Sequence, residues 1–454
     1  MKDRQRSMLE GPLFSSIISY TIPIMLTGVL QLLFHAADLV VVGQFRGPDA
    51  LAAVGATGAL TNLILNLFMG MSVGAGVTVA HGLGGRQHTA VHRTVHTTLL
   101  LALVSGVILT VIGVSFSGKF LEMMGTDKDI LPLSTMYMQI YFGGITFTMV
   151  YNFCASILRA AGDTKSPLAF LIISGITNVI FNVLFIVLFD MGVDGVALAT
   201  VISQAISAVL VVIALMRRTD ACKLELKKLR FYGVQLKKIV SIGLPAGIQG
   251  SLFSISNVII QSSVNSFGKV VMAGHAAAGN LDGFVYVLMN SFMQASVNFI
   301  GQNAGAHQFD RIKKVFRTCV LMATITGLAS GTLMYVFGKP LLAIYLPGAT
   351  EEISYGLIRL AWIGIPYFLC GIMEVSTGGL RGMGSSVSPM IISILGICGI
   401  RILWIFTIFK VPQYHTLECL YLSYTISWII TVIAQVLAFV TIYKKEKTQH
   451  LLSS

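Results

Sequence analysis

The sequence predicts an all-α polytopic membrane protein, with twelve transmembrane helices in two pseudo-symmetric six-helix bundles. Three observations predict it. Of 454 residues, 55% are hydrophobic and 11% charged, the mean hydropathy is +0.81, and no polar or low-complexity run is long enough for a soluble domain. Apolar stretches of at least about 20 residues, the length a helix needs to cross a bilayer, recur along the whole chain. A ten-residue pattern also returns 222 positions after its first appearance.

Taken in order, the spans are residues 13–43, 51–80, 94–116, 131–157, 168–189, 193–216, 239–266, 271–301, 316–337, 354–380, 389–409 and 417–443. Several exceed the minimum, which implies tilt, bending or extension into the interfaces. Met1 to Ser7 carries three basic residues ahead of an apolar run too long for a signal core and without a small-residue cleavage site, so the first span is expected to remain as a helix. The net charge of +12 would suit nucleic acid, but the basic residues fall between spans, where they set topology. With Arg317 and Arg359, at span ends, counted in the loops they adjoin, the amino terminus, the even-numbered loops and the carboxyl tail hold 23 of them, the odd-numbered loops seven, and Arg401 lies inside a span. Both termini are therefore expected on the cytoplasmic side of a plasma membrane. The six cysteines are scattered with no CxxC pair, so neither a disulfide framework nor a tightly bound metal is expected.

Leu158 to Pro167 reads LRAAGDTKSP and Leu380 to Pro389 reads LRGMGSSVSP. Six spans per half is an even number, so both halves enter the membrane in the same sense, as a parallel repeat about an axis along the membrane normal. The expected domains are residues 1–216, a basic cytoplasmic linker at 217–238, and 239–454. The linker's eight Lys and Arg read as topological charge with affinity for anionic lipid. In the repeated turns, Gly162 and Gly384 supply a positive φ or a close approach, and Pro167 and Pro389 open the next helix. Arg159 and Arg381 are placed to bind helix-end carbonyls or lipid phosphates. These residues read as structural turns and a hinge.

The chemistry centres on the segment HAADLVVVGQ, residues 35–44. Asp38 lies within the first span, where a carboxylate costs roughly 2.5–3.5 kcal/mol at a helix centre and therefore marks an ion or proton pathway. His35, one turn earlier on the same face, is a candidate proton relay.

With the Asp38-Leu-Val-Val-Val-Gly43 end of span one, the paired LRxxGxxxSP turns and two six-span halves, the whole chain resembles the multidrug and toxic compound extrusion (MATE) family. The resemblance implies a V-shaped antiporter around a central cavity, exporting organic cations or amphipathic drugs in exchange for Na⁺ or H⁺. It further implies a cation site made by Asp38, by Asn178 and Asn182 on span five, and by Thr200 on span six. Helical rise agrees, because Asp38, Asn182 and Thr200 each lie roughly 10–14 Å below the expected outer surface, with Asn178 one turn deeper. The chain departs from the family pattern at Asn182, where a second Asp is usual, and a single carboxylate suits Na⁺ less than H⁺.

The second half carries Asp282, Glu374 and Arg401 within spans. Glu374 stands about a turn from the family's usual acid, a position held here by Cys370. Two readings stand: Glu374 and Arg401 neutralise each other, or Glu374 is free to hold H⁺ or a cationic substrate. Gln261, Asn265, Tyr286, Met289 and Gln294 are substrate-cavity candidates, since amides on spans seven and eight suit a water-lined face and methionine an adaptable one. The expected function is a monomeric secondary antiporter with no cofactor beyond its transported ion. A flippase for a lipid-linked or amphipathic metabolite is the alternative, disfavoured because one buried Arg401 makes a poor pyrophosphate cavity. No GxxxxGK[ST] loop, HExxH or paired intramembrane aspartate is present, which argues against an ATP-driven pump and a membrane enzyme.

Overall fold

The computed structural model describes residues 8–453. The basic segment before Met8, and the expectation that it stays uncleaved on the cytoplasmic side, lie outside the described residues. Among those residues the chain is helical throughout, without strands. Leu13–Gly84 is one 72-residue run interrupted at Gly47, whose φ of 83° and ψ of −177° break the helical path; its parts, 13–46 and 48–84, are α1 and α2. There follow α3 (His88–Met123), α4 (Leu131–Gly143), α5 (Ile145–Ala160), α6 (Lys165–Val183) and α7 (Val193–Met216). The rest comprises α8 (Gly233–Asn265), α9 (Lys269–Gly305), α10 (Phe309–Val336), α11 (Gly338–Tyr345), α12 (Thr350–Arg359), α13 (Tyr367–Gly382), α14 (Val387–Ser393), α15 (Ile400–Phe406) and α16 (Leu417–Ser453).

Eight helices among the described residues are long and apolar enough to cross a membrane. Two bent pairs, Leu131–Gly143 with Ile145–Ala160 (48°) and Thr350–Gly364 with Tyr367–Gly382 (43°), each make one more span. Leu13–Gly84 counts once among the eight but covers two crossings. The 37-residue α9 completes the twelve, its hydropathy lowered by Asn280, Asp282, Asn290, Gln294 and Asn298.

The repeat is written into the backbone. Left-handed residues recur in pairs 221 to 223 positions apart: Gly47 and Gly268, Arg86 and His307, Gly125 and Gly348, Gly162 and Gly384. The two LRxxGxxxSP turns close alike, with Asp163 N–H donating to Leu158 O (2.8 Å) and Ser385 N–H to Leu380 O (2.9 Å). These are helix ends in which a left-handed glycine lets the next N–H reach an orphan carbonyl. The roles expected of the two arginines differ from this picture in one case: Arg381 is buried and donates from Nη2 to Gln249 Oε1 (2.9 Å) rather than to a helix-end carbonyl or lipid.

Two compact units form, and their limits differ from the sequence halves. One comprises residues 26–247, the other 8–25 with 248–453. The early part of α1 thus belongs with the later helices and the early part of α8 with the earlier ones. The reason in the first unit is close packing. A Cβ on Gly70 would fall 2.1 Å from Gly247 N, and one on Gly247 2.1 Å from Leu67 O, so α2 and α8 touch backbone to backbone through small residues four apart. In the second unit, Asn303 Nδ2 and Arg311 Nε donate to Met8 O, and Tyr20 meets Phe299 edge-on.

The first unit's apolar core lies among α3, α4, α5 and α7, where Phe142, Met149, Phe153 and Val211 are fully buried. The segment expected as a linker is fastened to this unit. Glu225 N–H donates to His96 Nε2 (3.0 Å), Tyr232 N–H to Thr97 Oγ1 (3.2 Å), and Arg218 pairs with Asp220. Burial would push the Asp220 carboxyl up, but the hydrogen bond and charge of Arg218 outweigh it and hold it below the usual carboxylate range.

Two outcomes follow from this packing. Gly247→Val is expected to lower the thermal unfolding midpoint in detergent, overpacking costing about 1–3 kcal/mol, whereas Gly55→Ala, with nothing within 4 Å of its Cβ, leaves it unchanged or raises it. Because the carboxyl of Asp220 is depressed, its contribution is complete above the usual carboxylate range and lost as pH falls below it; hydrogen-exchange protection across residues 217–232, taken relative to the intrinsic rate at each pH, should fall on acidification sooner than in the core of α5.

Candidate functional site

In the first unit, Asn182 Nδ2 donates a hydrogen bond to Asp38 Oδ1 and a second to Asn178 Oδ1 (3.2 Å). Asn178 Nδ2 in turn reaches Thr200 Oγ1 (3.4 Å), and that hydroxyl donates to Val196 O (3.0 Å). Four side chains from α1, α6 and α7 therefore form one chain of contacts. Sequence order explains the meeting. Asp38 and Asn182 each lie eight residues before the irregular backbone that ends their helices, at Arg46–Gly47 and at Asp190, and Thr200 lies seven residues after the start of α7. Asn178 and Asn182 are one turn apart on one face of α6.

Burial makes the arrangement consequential. Asn178 and Asn182 are 5% and 1% exposed, yet Asn182 Oδ1 is buried with no hydrogen-bond partner. An orphan buried acceptor costs about 1–3 kcal/mol, and it sits beside the one carboxylate of the group. A cavity of about 420 Å³ opens on the cluster. His35, Asp38, Asn178 and Thr200 line it, with Tyr137 and Tyr141 from α4, Thr57, Thr61 and Asn62 from α2, and Ser203 and Gln204 from α7. Tyr137 and Tyr141 lie parallel at 6.3 Å between centroids. His35 is exposed on the cavity side and, among the described residues, makes no hydrogen bond, so no direct link joins it to Asp38.

The sequence model of the MatE family matches residues 23–184 and again 245–407. The chain belongs to the MatE family. The two matched segments begin 222 positions apart, as the repeated turns do. The chain is 29% identical over 395 residues to the probable multidrug resistance protein YoeA of Bacillus subtilis, covering 85% of each. It is 25% identical over 411 residues to the probable multidrug resistance protein NorM of Thermotoga maritima, covering 87% of this chain and 86% of that one. Among solved structures, MATE in complex with MaL6 superimposes with a TM-score of 0.91 at 20% identity, over 98% of this chain and 99% of that one, and shares the fold. This MatE protein is a multi-pass membrane transporter, not an enzyme.

The second unit of the MatE chain arranges its charges differently from the sequence expectation. Glu374 and Arg401 do not pair. Arg401 Nε donates to Ser427 Oγ (3.0 Å) and its guanidinium stacks 3.9 Å from the Tyr424 ring centroid. Glu374 is buried, and among the described residues its carboxylate accepts no hydrogen bond and meets no cation within 4 Å. The pairing is instead Asp282 with Arg359, at 2.9 Å, and Arg359 Nη1 also contacts His275 Nε2, whose Nδ1 meets Tyr421 Oη (3.0 Å). Asp282 is thus buried and ion-paired through Oδ2, while its Oδ1 has no hydrogen-bond partner.

The cavity candidates in this unit divide. Gln261 donates to Asn265 (2.9 Å) and Gln294 to Asn290 (3.1 Å), each an amide pair along one helix. Tyr286 is 41% exposed. Met289 is a correction, fully buried with its Sδ against Gly327 and Gly371, a core position instead of a cavity wall. Sequence reasoning missed Tyr137 and Tyr141, which the four-residue spacing of two phenols in span four signals. It also missed His275 and Arg359, because Arg359 was assigned to the adjoining loop while it points inward.

A double-mutant cycle tests the Asp282 pair. Arg359→Met alone strands a buried carboxylate and is expected to destabilise the protein by about 3–5 kcal/mol, whereas Asp282→Leu with Arg359→Met recovers most of that loss. Thermal unfolding of the three variants measures the coupling.

Proposed function

We propose that this transporter is a secondary antiporter of the plasma membrane, with both termini cytoplasmic, that exports organic cations or amphipathic drugs by alternating access. The observation that carries the reading is the Asp38–Asn182–Asn178–Thr200 chain opening on the cavity of about 420 Å³. Substrate and ion meet in one volume there. The phenol rings of Tyr137 and Tyr141 and the hydroxyls and amides of α2 and α7 offer a cation both π-faces and hydrogen bonds, while Asp38 supplies the charge.

The mechanism follows from exclusive use of one carboxylate. When Asp38 takes an ion, the charge that holds Asn182 and attracts a cationic drug is neutralised, the cavity's polar wall rearranges, and substrate leaves. The ion proposed is H⁺, because a proton requires Asp38 alone. Sodium is the second reading, favoured by the unpartnered Asn182 Oδ1, which with Asp38, Asn178 and Thr200 oxygens offers four ligands. The names of relatives that are multidrug resistance proteins agree with the substrate class.

Everted membrane vesicles test this directly. Asp38→Asn is expected to abolish gradient-driven export of ethidium while the protein inserts at normal levels, and transport at the wild-type rate would overturn the reading. A pH gradient without Na⁺, compared with a Na⁺ gradient at uniform pH, decides the ion.

A further inference from the structure

Along the first unit, α1 and α6 stay in step through three contacts. The Phe34 ring lies against Gly175, where a Cβ would come within 1.9 Å of Cε2. Asp38 accepts from Asn182. Beyond it, Arg46 Nη2 donates to Ile186 O (2.8 Å) and to Asp190 Oδ1 (2.7 Å). Arg46 is eight residues past Asp38 and Asp190 eight past Asn182, so the second and third contacts are equally advanced on both helices, about 12 Å along each axis.

The ends of the two helices are shaped for this last contact. α6 widens into a π-turn at Leu184–Leu188. Phe189 N–H returns to Leu184 O and Met191 N–H to Phe185 O, which leaves the Ile186 carbonyl for Arg46. Asp190 holds a φ of 55°, a left-handed conformation uncommon for a side-chain-bearing residue, and Gly47 at φ 83° follows Arg46 directly. Asp190 is 92% exposed, so the ion pair adds little stability by itself. Its value is directional, since a guanidinium bound at two points resists sliding of one helix along the other.

We propose that Arg46 is a positioning residue for Asp38: by gripping Ile186 O and Asp190 it fixes the register of α1 against α6, and so decides whether Asp38 meets the Asn182 amide. The proposal rests on the reading of Asp38 as the coupling carboxylate. The titratable groups facing Asp38 across the cavity are His35 on α1 and Tyr137 and Tyr141 on α4, whereas α2, α6 and α7 present neutral hydroxyls and amides there.

The test titrates Asp38 itself in the full chain reconstituted in liposomes. A hydrophobic carbodiimide reacts with protonated carboxyls, and mass spectrometry follows its adduct on Asp38 against pH, with Asp38→Asn as the blank. Arg46→Ala is expected to move the labelling midpoint to higher pH by about one unit, because the amide that favours the carboxylate anion is lost. Asp190→Ala, which removes only an exposed side chain, gives a smaller move in the same direction, and Arg46→Lys, which keeps a charged donor for Ile186 O and Asp190, recovers most of the wild-type midpoint. A midpoint unmoved in Arg46→Ala, or one displaced as far in Arg46→Lys as in Arg46→Ala, overturns the clamp. Wild-type export by Asp38→Asn would instead end the coupling reading, while the labelling titration still judges the clamp.

Discussion

A carboxylate set inside an apolar helix is the constraint to which the first unit answers. Asp38 cannot be left without donors in a span whose other residues are mainly aliphatic, and α6 supplies one through Asn182. That amide is in turn fixed by Asn178, and Asn178 by Thr200, so three helices are committed to solvating one charge. The solution is incomplete, because Asn182 Oδ1 has no partner. The atom left over is an amide oxygen, an acceptor for which the buried cluster holds no donor.

The two halves repeat in backbone but not in chemistry. Paired left-handed residues and identical helix ends place the same turns in both. At the shift of 222, however, Asp38, Asn178, Asn182 and Thr200 correspond to Ile260, Ile400, Trp404 and Leu422. Ile260 lies in the second unit's apolar core. The same shift sets Tyr137, a cavity residue, opposite Arg359, whose charge is consumed by Asp282. One half keeps an open polar wall, and in the other Asp282 and Arg359 close upon each other. Glu374, Arg381 and Arg401 are also buried there and form no ion pair among the described residues, the two arginines meeting neutral partners instead.

Backbone contact decides which helices pack in one unit. Gly70, Gly74, Gly243 and Gly247 bring α2 and α8 so close that the early part of α8 joins the first unit, while residues 8–25 lie in the second, where Asn303 and Arg311 hold Met8. α1 contributes residues to both units, and it carries Asp38 on the stretch that lies in the first.

The sequence by itself determined the twelve spans, the repeat, the LRxxGxxxSP turns, and the layer in which Asp38, Asn178, Asn182 and Thr200 stand. These follow from hydropathy, helical rise and counting, which are local or one-dimensional properties. Tertiary structure alone decided the partners. Arg401 turned to Tyr424 instead of Glu374, Arg359 turned inward to Asp282, Met289 entered the core, and Arg46 met Asp190 across 144 residues. Spacing along one helix fixes a side chain's depth and face, but its partner depends on which helix packs beside it and at what rotation, and that is set by glycine contacts and π-turns far apart in sequence.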